Sequence, residues 1–209
     1  VEVRQAGLEL VGRLAADEQD VAARDQRADV DVDVAAGGIG RHGVRLDEAA
    51  RPDVALWRQK GADSLVSGSV VRLADGRYDV RFRLWDVVRG QDLGGQSYVV
   101  VQADLRLVAH RIADYVYEKL TGERGVFSTR IAYVTKAGNR FGLWVADSDG
   151  ENAQAALSSP ESIISPAWSP SGGQLDYVSF ESRKPVVYVH DVATGRRRLA
   201  AITLSRDGN

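Results

Sequence analysis

The residues best suited to chemistry are few and scattered. Gly38-Ile-Gly-Arg-His-Gly43 has the G-x-G-x-x-G spacing with which a glycine turn offers backbone N–H groups to a dinucleotide phosphate at a helix N-terminus. Such a turn follows a strand that is buried on both faces and so continuously apolar, whereas Asp29, Asp31 and Asp33 interrupt the run before it. The segment therefore reads as a flexible glycine-rich loop. The same aspartates have the spacing that opens a calcium loop, but its sixth position is Val34 instead of Gly and its twelfth is Gly40 instead of Glu. A solvated acidic run is expected. His42, His110 and His190 stand far apart, which favours neither a metal cluster nor a triad, and His110 reads as an ordinary helix residue. No G-x-S-x-G elbow occurs, and the absence of cysteine removes thiolate chemistry. No catalytic, cofactor-binding or metal-binding residue is assigned, no cofactor is expected, and partner-binding residues stay unassigned.

Composition narrows the partners. A formal net charge of −2 gives no global attraction to nucleic acid or to an anionic membrane surface. No apolar run is long enough for a membrane helix. The chain begins at Val1 without a signal sequence, as a processed product or a piece of something longer would. Aromatic residues are distributed unevenly, since the first lies at Trp57 and the last at Tyr188. The segment 1–50 offers mostly Val and a few Leu against an ordering entropy of roughly 1–2 kcal/mol per residue, so it is expected to be atypical and weakly ordered.

The pattern changes from Arg51 onward. Pro52–Gln59 predicts a short helix that buries Val54, Leu56 or Trp57 and stops at Gly61. Ala62–Leu73 and Tyr78–Trp85 read as a hairpin around Ala74-Asp-Gly-Arg77, with Tyr78, Val80, Phe82 and Leu84 facing inward and Asp79, Arg81 and Arg83 facing water. Asp92–Val101 makes a third strand. Asp104 is expected to cap a helix in which Leu105, Val108, Ile112, Val116 and Leu120 form one apolar stripe, with Gly122 beyond its end.

The remainder repeats. Ile131-Ala-Tyr-Val-Thr135 lies over Leu175-Asp-Tyr-Val-Ser179, and Leu143-Trp-Val-Ala-Asp147 over Val187-Tyr-Val-His-Asp191, both 44 positions apart. A period of this size with short strands and glycine turns signals propeller blades. Ile164-Ser-Pro-Ala-Trp-Ser-Pro-Ser-Gly172 reads as a turn between them, pinned by Trp168. Trp57, Trp85, Trp144 and Trp168 read as core. The repeat also places Asp176 in register with Ala132 on an inner strand, so its carboxylate is expected to be buried and Asp176→Ala to be stabilising.

Residues 51–199 resemble the TolB family, propeller proteins of the bacterial Tol-Pal envelope system. The span Pro52–Gly68, with Trp57 and Gly61-Ala-Asp63, looks like the family's segment of tryptophan, Gly-Ala-Asp and a strand into glycine. Phe82-Arg-Leu-Trp-Asp86, Gly90-Gln91 and Ile112–Glu123 follow the family in order and spacing, as does Phe127-Ser-Thr-Arg-Ile131, which there leads into the propeller. Ser165–Gly172 resembles the blade signature, a motif shared with other propellers, though Ser171 stands where the family usually has Asp. Residues 4–49 show none of the family's opening pattern; their composition suits either a genuine segment or a wrong-frame translation of a GC-rich gene. The resemblance implies an α+β layer domain over 51–125, a three-stranded sheet with a covering helix, followed over 126–209 by an incomplete β-propeller of about two blades. It implies a non-enzymatic periplasmic protein that supports outer-membrane integrity and constriction during division. Its partners would be the lipoprotein Pal and TolA, with no nucleic acid and no direct membrane span. Two rivals stand beside it: the propeller part of a hydrolase such as a serine peptidase, and a non-functional fragment of a disrupted gene. Two unclosed blades would leave apolar surface in water, so the chain alone is expected to self-associate and to fail to retain Pal.

Overall fold

The computed structural model describes the backbone of residues 27–35 and 38–40 and all of residues 49–200. It divides into two compact units, Val1–Ser128 and Thr129–Asn209.

In the first unit, β1 (Arg27–Ala35), β2 (Gly38–Gly40), β3 (Ser64–Arg72), β4 (Tyr78–Asp86) and β5 (Gln91–Val100) form an antiparallel sheet in the order β2-β1-β3-β4-β5. The three expected strands lie adjacent, and β3 and β4 pair without interruption from Ser64–Asp86 to Arg72–Tyr78. Their inward residues Val66, Tyr78, Val80, Phe82 and Leu84 pack beneath helix α2 (Leu105–Thr121), which contributes Val108, Ala109, Ile112, Ala113 and Val116. This is the apolar stripe predicted from helical spacing. On the wet face, Arg81 bonds Asp79 at 2.7 Å, and Arg83 pairs with Asp92. At its far end the sheet is covered on the second face as well. Helix α1 (Val54–Gln59) buries Trp57 against Ala62, Leu65, Trp85 and Val87, and Arg58 clamps it by donating to the Val87 and Val88 carbonyls at 2.9 Å.

Two local features set the sheet's curvature and exit. The β4–β5 ladder shifts register between Leu84 and Trp85, opposite Gly94 at φ +96°. Beside it, a Cβ on Gly95 would lie 2.0 Å from the Phe82 carbonyl oxygen, so only glycine fits that approach. Beyond α2, the Asp114 carboxylate accepts the N–H groups of Phe127 at 2.6 Å and Ser128 at 3.1 Å, and Phe127 enters the core below.

Several expectations are corrected. Asp104 does not cap α2 through its side chain: a 3-10 turn, Gln102–Asp104, leads into the helix and leaves Asp104 in helical conformation with no side-chain cap bond. A strand that the sequence reading did not expect pairs with β3 over residues 27–34, from Arg27–Val71 to Val34–Ser64. The unpaired backbone edge of β3 supplies a ladder that apolar content alone does not reveal. Gly38–Gly40, read as part of a flexible loop, continues that sheet by pairing with Asp33–Ala35. The rest of the segment before residue 49 lies outside the described residues.

The second unit holds two propeller sheets. The first has the order β6-β7-β8, from β6 (Arg130–Ala137), β7 (Arg140–Asp147) and β8 (Gln154–Ser159). The second has the order β12-β11-β10-β9, from β9 (Ile163–Trp168), β10 (Gln174–Ser179), β11 (Val186–Asp191) and β12 (Arg197–Leu199). Between them lies one core, in which Leu143 and Val145, with Ala132 and Val134, meet Ile163, Leu175 and Tyr177, with Tyr188. The segment 164–172, expected to be one long turn, begins as strand β9. Pro166 is tolerated there because β9 is an edge strand, paired with β10 alone among the described residues, and the ladder breaks register beside it. Asp176 is exposed, between buried Leu175 and Tyr177. The repeat located the strand position correctly, but the Asp176 side of the second sheet faces away from the first. The expected stabilisation by Asp176→Ala loses its premise.

Candidate functional site

The repeat unit builds the same joints twice. Asp147 and Asp191, at equivalent repeat positions, each hold the turn that follows their strand. Asp147 accepts the Asn152 side-chain amide at 2.7 Å, and Asp191 accepts the Thr194 hydroxyl at 2.7 Å and its N–H at 2.9 Å. The Thr194 bonds hold the Asp191 carboxyl below its ordinary value. Where the sheets meet, Arg130 lies over the Trp168 ring, 4.7 Å from its centroid, and donates to the Gly172 carbonyl at 2.6 Å. That contact pins the turn Ser169–Gly172, which Gly172 closes at φ +69°.

The second sheet carries the most concentrated set of polar and aromatic groups. Tyr177 and Tyr188 stack at 5.8 Å, His190 meets Tyr177 edge-on at 6.5 Å, and the Arg197 guanidinium lies 4.9 Å from the Tyr188 centroid. Arg197 also pairs with Glu181 at 3.0 Å and reaches the Tyr177 hydroxyl at 3.4 Å. Burial raises the Tyr177 phenol, and the Glu181 bond raises Arg197 further. Burial pushes His190 below its usual value, so the ring is held neutral. These groups fasten β12 to β11 and β10. Arg197 and Glu181 escaped the sequence reading because they lie 16 residues apart; only the register that sets Arg197 opposite His190 joins them.

The candidate residues are dispersed by the fold. The backbone of Asp29, Asp31 and Asp33 pairs with Ser69, Ser67 and Leu65. Gly38–Gly40 lies in β2, while Arg41, His42 and Gly43 lie outside the described residues. His110 is buried on α2, and His190 on β11. Trp57 and Trp85 are core as expected. Trp144 and Trp168 are half-buried instead: Trp144 donates its ring N–H to Thr135 at 2.8 Å, and Trp168 borders the inter-sheet core beneath Arg130. What the described part of the unit presents outward includes the turns held by Asp147, Asp191 and Arg130. Among the described residues no helix is long and apolar enough to cross a membrane.

Comparison with known proteins follows this division. Residues 39–93 match the family described as the TolB amino-terminal domain, and residues 117–205 the family described as the TolB beta propeller domain. The Tol-Pal system protein TolB of Albidiferax ferrireducens is 79% identical over 164 residues, covering 78% of this chain and 39% of that protein. The corresponding protein of Dechloromonas aromatica is 59% identical over 156 residues, covering 75% of this chain and 37% of its own length. The crystal structure of TolB from Acinetobacter baumannii superposes with a TM-score of 0.66 at 37% identity, over 71% of this chain and 38% of that one. The chain thus spans about two fifths of the length of the curated relatives it matches.

Proposed function

The chain belongs to the TolB family, and on that premise we propose that it acts as a non-enzymatic interaction component of the Tol-Pal system in the periplasm. Its partners are the lipoprotein Pal and TolA, and its outcome is outer-membrane integrity and constriction during division. The observation that carries this reading is identity of 79% sustained over 164 residues. The geometry agrees in kind. Sheets fixed by capped turns and an Arg–Trp joint present rigid rims to macromolecules, and the polar cluster on the second sheet is spent on holding strands together. The hydrolase reading rested on the propeller repeat alone and does not account for the match over residues 39–93.

A chimera tests the proposal. Residues 51–200 replace the matching span of the Albidiferax ferrireducens protein, and the product is produced in a strain lacking its own copy. Detergent resistance and Pal retention on the purified chimera are expected. A folded chimera that restores neither would overturn the assignment.

A further inference from the structure

We propose that residues 122–128 form a strap latched onto α2 by Asp114, and that opening the latch, with the rest of the first unit intact, releases chain held in reserve between the two units. The closed connection has no slack. Ser128 is held to the first unit through Asp114, and its neighbour Thr129 is already held by the second, where its carbonyl accepts the Ser148 N–H at 3.1 Å. A single peptide bond joins the two anchored residues. Opened back to Gly122, the connection gains about six residues, which reach up to about 20 Å when extended.

The strap seats by close approach and closes on one side chain. Gly122 ends α2 in the left-handed region at φ +77°, and no helix or strand runs through 122–128. Gly125 then passes so near the helix that a Cβ there would lie 2.5 Å from the Asp114 Cα, so any side chain would lift the strap. Beyond it Phe127 enters the core, 3% exposed and edge-on to Tyr117 at 5.7 Å. The Asp114 carboxylate gathers three donors from the end of the strap: the N–H groups of Phe127 and Ser128, and the Ser128 hydroxyl. Bonds to an ionised acceptor are about twice as strong as neutral ones, and here all three are lost together if that carboxylate is removed. A segment with no ladder of its own opens at lower cost than the helix and sheet on which it lies, and its outward residues Glu123, Arg124 and Val126 are exposed.

Limited trypsin digestion of the whole protein, read by mass spectrometry, tests this at the bond after Arg124, with the bond after Arg111 inside α2 as the internal reference. The first becomes a substrate when the strap opens, the second only when the helix unfolds. Asp114→Ala removes the latch, and Gly125→Ala blocks seating without touching the carboxylate. Each is expected to speed cleavage after Arg124 by about tenfold or more, while cleavage after Arg111 changes by less than about twofold. Ser128→Ala, which withdraws two of the oxygen's contacts at most, gives an intermediate rate and replaces either variant if that variant loses cooperative urea unfolding. Unchanged cleavage after Arg124 overturns the proposal. So does equal acceleration at the two bonds, which would make the strap inseparable from the fold of the first unit.

Discussion

His190 shows how a side chain with an ordinary name acquires a defined role. It is 2% exposed, lies against Tyr177, and is held neutral chiefly by burial, with Asp191 beside it pulling the other way. Above its unperturbed value near 6.5 the ring is neutral in both folded and unfolded chains, and its titration leaves stability unchanged. Below that value the unfolded chain binds the proton first, so the folded state loses stability until the folded ring also titrates. Urea unfolding at about pH 7.5 and about pH 5.0 should show a larger loss for the parent protein than for His190→Phe, which has no ring to charge. Equal losses would mean that the ring is solvated. Asp176 gives the complementary lesson. A 44-residue repeat reports which strand a residue occupies, but whether a carboxylate there meets water depends on what covers the face, and a single blade's pattern does not contain that information.

At the scale of elements, two aspartates that look alike as helix starts behave differently. Asp53 accepts the N–H groups of Ala55 at 3.0 Å and Leu56 at 3.2 Å ahead of α1, whereas Asp104 makes no side-chain cap bond ahead of α2. Asp53→Ala should therefore lower stability by about 1 kcal/mol and Asp104→Ala by less than about 0.5 kcal/mol, measured by urea unfolding. Comparable losses would indicate that Asp104 caps in solution. The difference was illegible in sequence because a 3-10 turn and a direct start share the same residue preferences. Legible elements were those whose periodicity the core enforces: α2, with Val108, Ile112 and Val116 buried, and β4, with Tyr78, Val80, Phe82 and Leu84 buried. Strand β1 was missed because its stabilisation is visible only once the edge of β3 is known. The joint between propeller sheets was half legible. Trp168 was expected to pin the turn, but Arg130, which lies 4.7 Å from its ring, comes from a strand one sheet earlier.

Across the whole molecule, the two units differ in how far along the chain their strands reach for partners. Among the described residues, every ladder in the second unit joins sequence neighbours, β6 to β7 to β8 and β9 through β12. In the first unit, β1 must find β3 across the segment that holds α1, pairing Arg27 with Val71. Short loops close quickly, and contacts between distant segments are made late because the entropy of closing the intervening chain precedes their reward. Pulse-labelled hydrogen exchange during refolding should protect the amides of Leu143 and Leu175 before that of Val32; simultaneous protection would show that the sheet of the first unit forms as a single event. The meander that makes the propeller sheets repetitive thus also sets a clock, in which each blade is complete almost as soon as its own 44 or so residues are available to it.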